Sequence, residues 1–388
     1  MPSPRTDPAE PGSAPGPSTG PSNGAVVRAA TVMAPAGPLA DAEVVIEDGL
    51  IAEVRPAAGP VPDIVLVPGF VDLQVNGIGA IDVAGATGSD WEALDVALLA
   101  QGVTTWCPTV VTAPFDALEA SLARIAEAAR RPAPGRPEIA GAHLEGPFLA
   151  VPGAHRPEFL RAELDRGWLD SLGTGVRILT LAPELPGALE AVAALTGRGV
   201  LVALGHSACS AEVAGAAADA GARLVTHLGN AMGPLHHRAP GLLGAALADD
   251  RLSVSLIADL VHTHPVFLRM AFAAKGATRV ALVTDAVATT AGAHPAATGP
   301  RRLPDGTLAG SALTMERAVS NAVDHSRVSL VDALAAASTT PARLLGLDDR
   351  GAIAPRRRAD LVALEAGDGG GWRVASVWVA GAEAWTRP

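Results

Sequence analysis

Apolar segments of β type alternate with alanine-rich helical segments along most of the chain, and this alternation restricts the fold more than any other feature. Eight strand candidates end near Asn76, Thr109, Glu145, Pro183, His206, His227, Asp259 and Asp285. Helices are expected between them, among others over 90–101, 115–130, 188–198, 211–220 and 264–275. Strands that read as near-continuous apolar runs are buried on both faces, and parallel neighbours need a crossover of helix length. Right-handed crossovers then bring every C-terminal strand end to one face. The expectation is an α/β protein whose residues 69–348 form a (β/α)8 TIM barrel, with its active site at that face.

The two ends of the chain have a different texture. Short β-rich pieces at 26–32, 42–46 and 51–55 are separated by glycine and proline turns, and 359–364 and 372–380 read as strands joined by a glycine run. Neither end alone has enough strands to bury a core. Residues 25–68 and 349–388 are therefore expected to pair into one small β-sandwich domain. Residues 1–24 hold many prolines, glycines and serines and no apolar segment, so they read as a disordered tail rather than a secretory signal or anchor. No unbroken apolar run reaches the roughly 18 residues of a membrane span.

Charge narrows the partners. A net charge of −11 disfavours a nucleic-acid surface. Lys275 is the only lysine, so an anionic substrate must be held by arginine, histidine or backbone amides. Cys107 and Cys209 lie in apolar stretches and make no disulfide framework, which points to free thiols in a reducing cytoplasm.

The strand ends carry the chemistry. The third strand closes on Glu145, the fifth on His206 and the sixth on His227. Each alone has an ordinary structural explanation, as a helix cap or a satisfied histidine. A carboxylate directly after an apolar strand is nevertheless costly to desolvate unless paired or bound to a metal. One Glu and two His at three barrel strand ends form a set of three ligands with coordination positions left open, as a catalytic divalent ion requires. The eighth strand ends in Asp285, which could cap the next helix. Beside a water activated by such an ion it has a better use, taking the proton and later giving it to a leaving amine. Many metal-dependent amidohydrolases place a His-x-His pair on the first strand, where this chain has Gln74 and Asn76. Neutral amides are poor ligands, so a single-metal centre is expected; Gln74 and Asn76 either orient water or substrate or satisfy loop backbone.

The segments PGFVDLQVNG, HLEGPF, GAHRPEFL, LGHS, THLGNAM, HRAPGLLG, ADLVHTHP, LVTDA and LAGSALTM, in this order and spacing, resemble those of the N-acetylglucosamine-6-phosphate deacetylase family of amidohydrolases. The resemblance covers about residues 64 to 346, and the combination of HLEGP, THLxNAM and LVTDA is what makes it specific. It implies metal ligation by Glu145, His206 and His227, with Asp285 as the proton-transfer residue. His155 then looks like the donor to the substrate's amide carbonyl, where oxyanion charge develops. Asn230, Ala231, Arg238 and His262 resemble the family's sugar-phosphate contacts, Leu308, Ala309 and Gly310 match a segment that closes over the sugar, and Ala154 is a further expected substrate contact. A guanidinium fork suits phosphate oxygens. Arg238 also reads as one member of a solvated basic cluster with His236 and His237, and His262 as a turn residue; His264, His294 and His325 read as surface residues. The resemblance further implies a homodimer, with a phosphate contact that can come from the neighbouring subunit.

Expected, then, are one divalent ion per subunit, Zn²⁺ first among Zn²⁺, Fe²⁺, Co²⁺ and Mn²⁺, and a small phosphorylated amino sugar as substrate. Two departures touch the pocket. The loop 149–152 is shorter than in the family and uncharged, and Gly229 stands where a bulkier residue is usual. Three rivals follow: an isomeric sugar such as N-acetylgalactosamine 6-phosphate, a cyclic amide or acyl-amino acid, and a non-catalytic scaffold on the same fold.

Overall fold

The computed structural model describes residues 24–131, 135–289, 302–367 and 369–388. The tail expected over 1–24 lies outside them except for Gly24, as does His294. Eight strands follow one another around the barrel: β1 (Phe70–Val75), β2 (Val103–Val111), β3 (Ala142–Glu145), β4 (Val176–Leu181), β5 (Leu201–Leu204), β6 (Leu224–Val225), β7 (Ser253–Leu256) and β8 (Val280–Leu282). Neighbours pair in sequence order and in parallel, as the alternating pattern requires. The third expected strand is interrupted: Glu138–Ile139 pairs separately with β2, and Gly141, at φ 129°, breaks the run before Ala142.

The barrel closes just beyond the first and last strands. Asp285 N–H donates to the Gln74 carbonyl at 2.9 Å, and Asn76 N–H donates to the Ala286 carbonyl at 2.8 Å. Below this seam Asp72, fully buried, accepts from Thr284 Oγ1 at 2.5 Å and from Gln74 N–H at 3.1 Å. Burial, opposed by these bonds, pushes the Asp72 carboxyl up to about 7.

Five helices sit where expected, with ends shifted by a residue or two: Asp90–Leu99, Phe115–Ala129, Ala188–Gly197, Ala211–Ala220 and Pro265–Lys275. His264 is exposed and caps the last of these, its ring accepting from Val266 N–H. His325 is exposed as expected. Their small faces, such as Ala188, Ala191 and Ala214, let helix backbones approach the sheet closely, and they share one buried core with strand residues such as Leu144, Leu179 and Leu204.

The two chain ends form a single seven-stranded sheet, ordered Ala382–Thr386, Trp372–Val379, Leu361–Ala366, Val65–Pro68, Ala25–Ala34, Gly37–Glu47 and Leu50–Pro56. It curls on itself, because the edge strand returns to residues 356–359: Ile51 N–H donates to the Arg357 carbonyl and Ala359 N–H to that of Gly49. Alternation divides its side chains. Leu361 and Ala363 join a second core inside the curl, whereas Val362 and Leu364 join the barrel core. On the face opposite this second core the Glu43 carboxylate is paired with Arg28 and Arg55.

Candidate active site

Four of the expected site residues stand at or just past strand ends, where the polypeptide leaves β geometry. Glu145 ends β3 within the strand. His206, His227 and Asp285 lie two or three residues past β5, β6 and β8, and all three adopt positive φ, at 49°, 27° and 47°. Such backbone is unfavourable for residues with a Cβ and persists where the surroundings over-determine it. Gly205 shows why the approach to His206 is narrow: a Cβ there would lie 2.5 Å from Thr226 Cγ2.

Three imidazoles converge on Glu145. His227 Nε2 lies 2.9 Å and His206 Nε2 3.4 Å from Glu145 Oε1, and His155 Nε2 lies 3.7 Å from Oε2. All four side chains are about 5% exposed or less to within a point. Burial works to raise the Glu145 carboxyl, but its contacts with His155, His206 and His227 outweigh this and hold it well below the usual carboxylate range. Burial lowers His206, while the Glu145 contact overcomes burial and raises His227.

The surroundings orient these groups. His206 Nδ1 faces the Val151 carbonyl at 2.9 Å, so Nδ1 carries the proton and Nε2 presents its lone pair to the site. Val151 belongs to the short loop 149–152, and its own N–H donates to the His206 carbonyl at 2.8 Å. Gly153, at φ 56°, lets this loop press on the ring, since a Cβ there would meet His206 Cε1 at 3.1 Å. Gln74 bridges two strands: Nε2 donates to Glu145 Oε1 at 3.0 Å and Oε1 accepts from Thr226 Oγ1 at 2.8 Å. His155 Nδ1 lies 2.8 Å from Thr112 Oγ1. His227 Nδ1 is buried without a partner among the described residues.

These donors fit a divalent ion. Among the described residues, Glu145, His155 and His206 each offer a ligand atom within 4.8 Å of the others. His227, expected as a ligand, faces the same Glu145 oxygen as His206. The cavity beside them measures about 530 Å³. Asp285 lines it and is partly buried; desolvation, with the nearby Glu145 charge, pushes its carboxyl up to about 6, against the opposing effects of His227 and Asn76. Asn76 Nδ2 donates to Asp285 Oδ1 at 2.7 Å.

The remaining expected residues divide. Asn76, Ala154, Asn230, Ala231, His262, Leu308, Ala309 and Gly310 all line the cavity, and so does Gly229. His262 Nδ1 lies 2.7 Å from Asp259 Oδ2, which turns its other nitrogen loose for a ligand. Gln74 lies behind the cavity wall rather than in it. Arg238 is exposed, does not line the cavity of its own chain, and its Nη1 donates to His237 Nε2 at 3.1 Å. Sequence reasoning missed Thr112, Val151 and Thr226, because each acts through a partner distant in sequence or through a backbone carbonyl, and it read Asp259 only as a strand end although its partner His262 is three residues away. It also missed Asp82, Val111 and Arg302 in the cavity wall.

An eight-stranded parallel barrel with a Glu and His cluster and an Asp at its C-terminal face defines a metal-dependent hydrolase site. The chain belongs to the amidohydrolase family, whose model matches residues 65–383. It is 37% identical over 376 residues to the N-acetylgalactosamine-6-phosphate deacetylase of Escherichia coli O157:H7, covering 92% of this chain and 98% of that protein. It is 38% identical to the N-acetylglucosamine-6-phosphate deacetylase of Bos taurus, covering 78% and 80% of the two chains. Among solved structures, the N-acetyl-D-glucosamine-6-phosphate deacetylase of Mycobacterium smegmatis, a mutant in complex with N-acetyl-D-glucosamine-6-phosphate, superposes with a TM-score of 0.85 at 33% identity, covering 94% of this chain and all of that one. The enzyme of Thermotoga maritima gives 0.84 at 30% identity over the same shares. Among the described residues no helix is long and apolar enough to cross a membrane.

Proposed function

We propose that the protein hydrolyses the acetamide of N-acetyl-D-glucosamine 6-phosphate to D-glucosamine 6-phosphate and acetate, a step of amino-sugar catabolism and cell-wall recycling. The observation that carries this reading is the convergence of three imidazoles on one buried carboxylate in a cavity that also holds Asp285. Relatives over most of the chain's length are named as deacetylases of such sugars.

Glu145, His206 and His227 would hold the ion, Zn²⁺ first. When bound, a divalent ion lowers the pKa of a water and polarises a carbonyl. His155 donates from Nε2 to the amide oxygen; the Thr112 N–H, 3.4 Å from Nδ1, supports the tautomer that places the proton there. Asp285 takes the proton of the attacking water and delivers it to the nitrogen as the C–N bond breaks, so that the amine leaves neutral. Asn230, Ala231 and His262 hold the sugar phosphate, with Ala154, Leu308, Ala309 and Gly310 shaping the sugar site. Arg238, off its own cavity, fits a homodimer in which it serves the neighbouring subunit's phosphate. A cytoplasmic enzyme suits the two buried free cysteines.

One observation favours a second reading of the ligand set: His155, not His227, joins Glu145 and His206 in the group whose ligand atoms lie within 4.8 Å of one another. A second substrate reading is the C4 epimer, N-acetylgalactosamine 6-phosphate, favoured by a relative that spans 92% of this chain and is named as the deacetylase of that sugar. The test is acetate release from both sugar phosphates by the purified metal-loaded protein. A kcat/KM for the glucosamine compound at least equal to that for its epimer supports the proposal; a clear preference for the epimer reassigns the sugar, and no release from either overturns the reading.

A further inference from the structure

Asn76 stands where β1 gives way to loop, and its backbone is pinned on both sides. Its N–H donates to the Ala286 carbonyl at 2.8 Å and its own carbonyl accepts from Val83 N–H at 2.9 Å. The side chain therefore has a fixed origin in the cavity wall. Its Nδ2 donates to Asp285 Oδ1 at 2.7 Å, which commits one carboxylate oxygen and leaves Oδ2 for the proton.

The other end of the amide is unspent. Asn76 Oδ1 is buried, and no donor among the described residues reaches it. A buried acceptor left unpaired is costly, so one on a side chain of the cavity wall calls for a donor from a ligand. An acetamide presents one N–H, on the nitrogen to which Asp285 must deliver its proton. Asparagine can receive that N–H and hold the carboxylate at once, because its side chain carries both a donor and an acceptor.

We propose that Asn76 is a positioning residue with two faces: Nδ2 aims the Asp285 carboxylate and Oδ1 receives the N–H of the scissile amide. The site thereby selects secondary amides over esters, which have no N–H to give. Holding the nitrogen and its proton carrier from one side chain fixes their mutual geometry, which is where orientation lowers a barrier. The assignment rests on the deacetylase reading and on Asp285 as proton carrier.

The test compares the metal-loaded wild type with Asn76→Leu and Asn76→Asp on N-acetylglucosamine 6-phosphate and on its ester analogue, 2-O-acetylglucose 6-phosphate. Asn76→Leu is expected to lower kcat on the amide by roughly tenfold or more beyond its loss on the ester, the worth of one charge-free hydrogen bond made in the transition state. Asn76→Asp keeps the acceptor and loses the donor, so its losses on the two substrates should be equal. Asn76→Ala replaces the leucine variant if that does not fold, and metal content is matched throughout. Equal losses with Asn76→Leu on both substrates, or none, overturn the inference. Asp285→Asn is measured alongside: full activity there sinks the proton-carrier reading itself, and absence of acetate release by the wild type sinks the deacetylase reading.

Discussion

Gln74 Nε2 donates to Glu145 Oε1 at 3.0 Å, although 71 residues separate the two, and the bond ties the first barrel strand to the carboxylate at the end of the third. Its amide oxygen is held in turn by Thr226 Oγ1, from the strand that carries His227. A neutral amide at this place is thus an orienting partner of the carboxylate. Gln74→Ala should weaken binding of the ion by about 10–100-fold, the usual effect of losing such a partner. Competition with a chelator, monitored by residual metal, measures it; unchanged affinity would assign Gln74 to packing alone.

The ligand set is separable by metal content. His206→Ala and His227→Ala should each purify with well under one ion per chain. His155→Ala should keep its ion and lose turnover by about 10²–10³-fold, as removal of an oxyanion donor does. Metal loss in the His155 variant with retention in the His227 variant would exchange their roles.

Asp285→Asn should retain the ion, keep the barrel seam, which runs through its backbone N–H and not its side chain, and lose about 10²–10⁴-fold in kcat. Steady-state kinetics with metal analysis decides this. Activity within a few-fold of wild type would remove Asp285 from the proton path.

Arg238→Ala tests the phosphate grip. The guanidinium does not line its own cavity, so a rise in KM for the phosphorylated sugar requires a neighbouring subunit. The expected result is a KM increase of about tenfold or more with kcat nearly unchanged, since uniform binding is lost, and a dimer by sedimentation. An unchanged KM favours a substrate without phosphate.

Asp72 gives a pH dependence of stability. Burial raises its carboxyl to about 7 in the folded protein from 3.8 in the unfolded chain. Between about pH 4 and 7 the folded state holds a proton that the unfolded state has released, so this group's contribution falls as pH rises through that window, by up to a few kcal/mol. Asp72→Asn keeps an acceptor for Thr284 and Gln74 and cannot ionise. Urea unfolding at pH 4.5 and pH 7 should therefore show wild type losing more stability with rising pH than the variant; parallel curves would sink the idea.

Much of the architecture was legible because it rests on local periodicity. Apolar runs ending in Glu145, His206, His227 and Asp285, alternating with helical segments that are mostly alanine-rich, prescribe parallel strands with crossovers, and the strand ends then share a face whatever the loops do. The two-ended sheet was legible for the same reason, since neither end has strands enough for a core. Its single continuous hydrogen-bonded path and its curl were not, because strand order depends on pairings such as Val65–Pro68 with both Ala25–Ala34 and Leu361–Ala366, which no local pattern encodes.

The sequence by itself determined which chemical groups reach the active face: one Glu, a set of histidines and one Asp, each placed by the length of its own strand. Only the tertiary structure decided how they are held. It set Val151's carbonyl on His206, Gln74 between Glu145 and Thr226, Asn76 against Asp285, and Arg238 away from its own cavity. The physical reason is range. Strand periodicity acts over a few residues, whereas a hydrogen bond of 3 Å between residues 71 or 209 positions apart exists only once the barrel has closed.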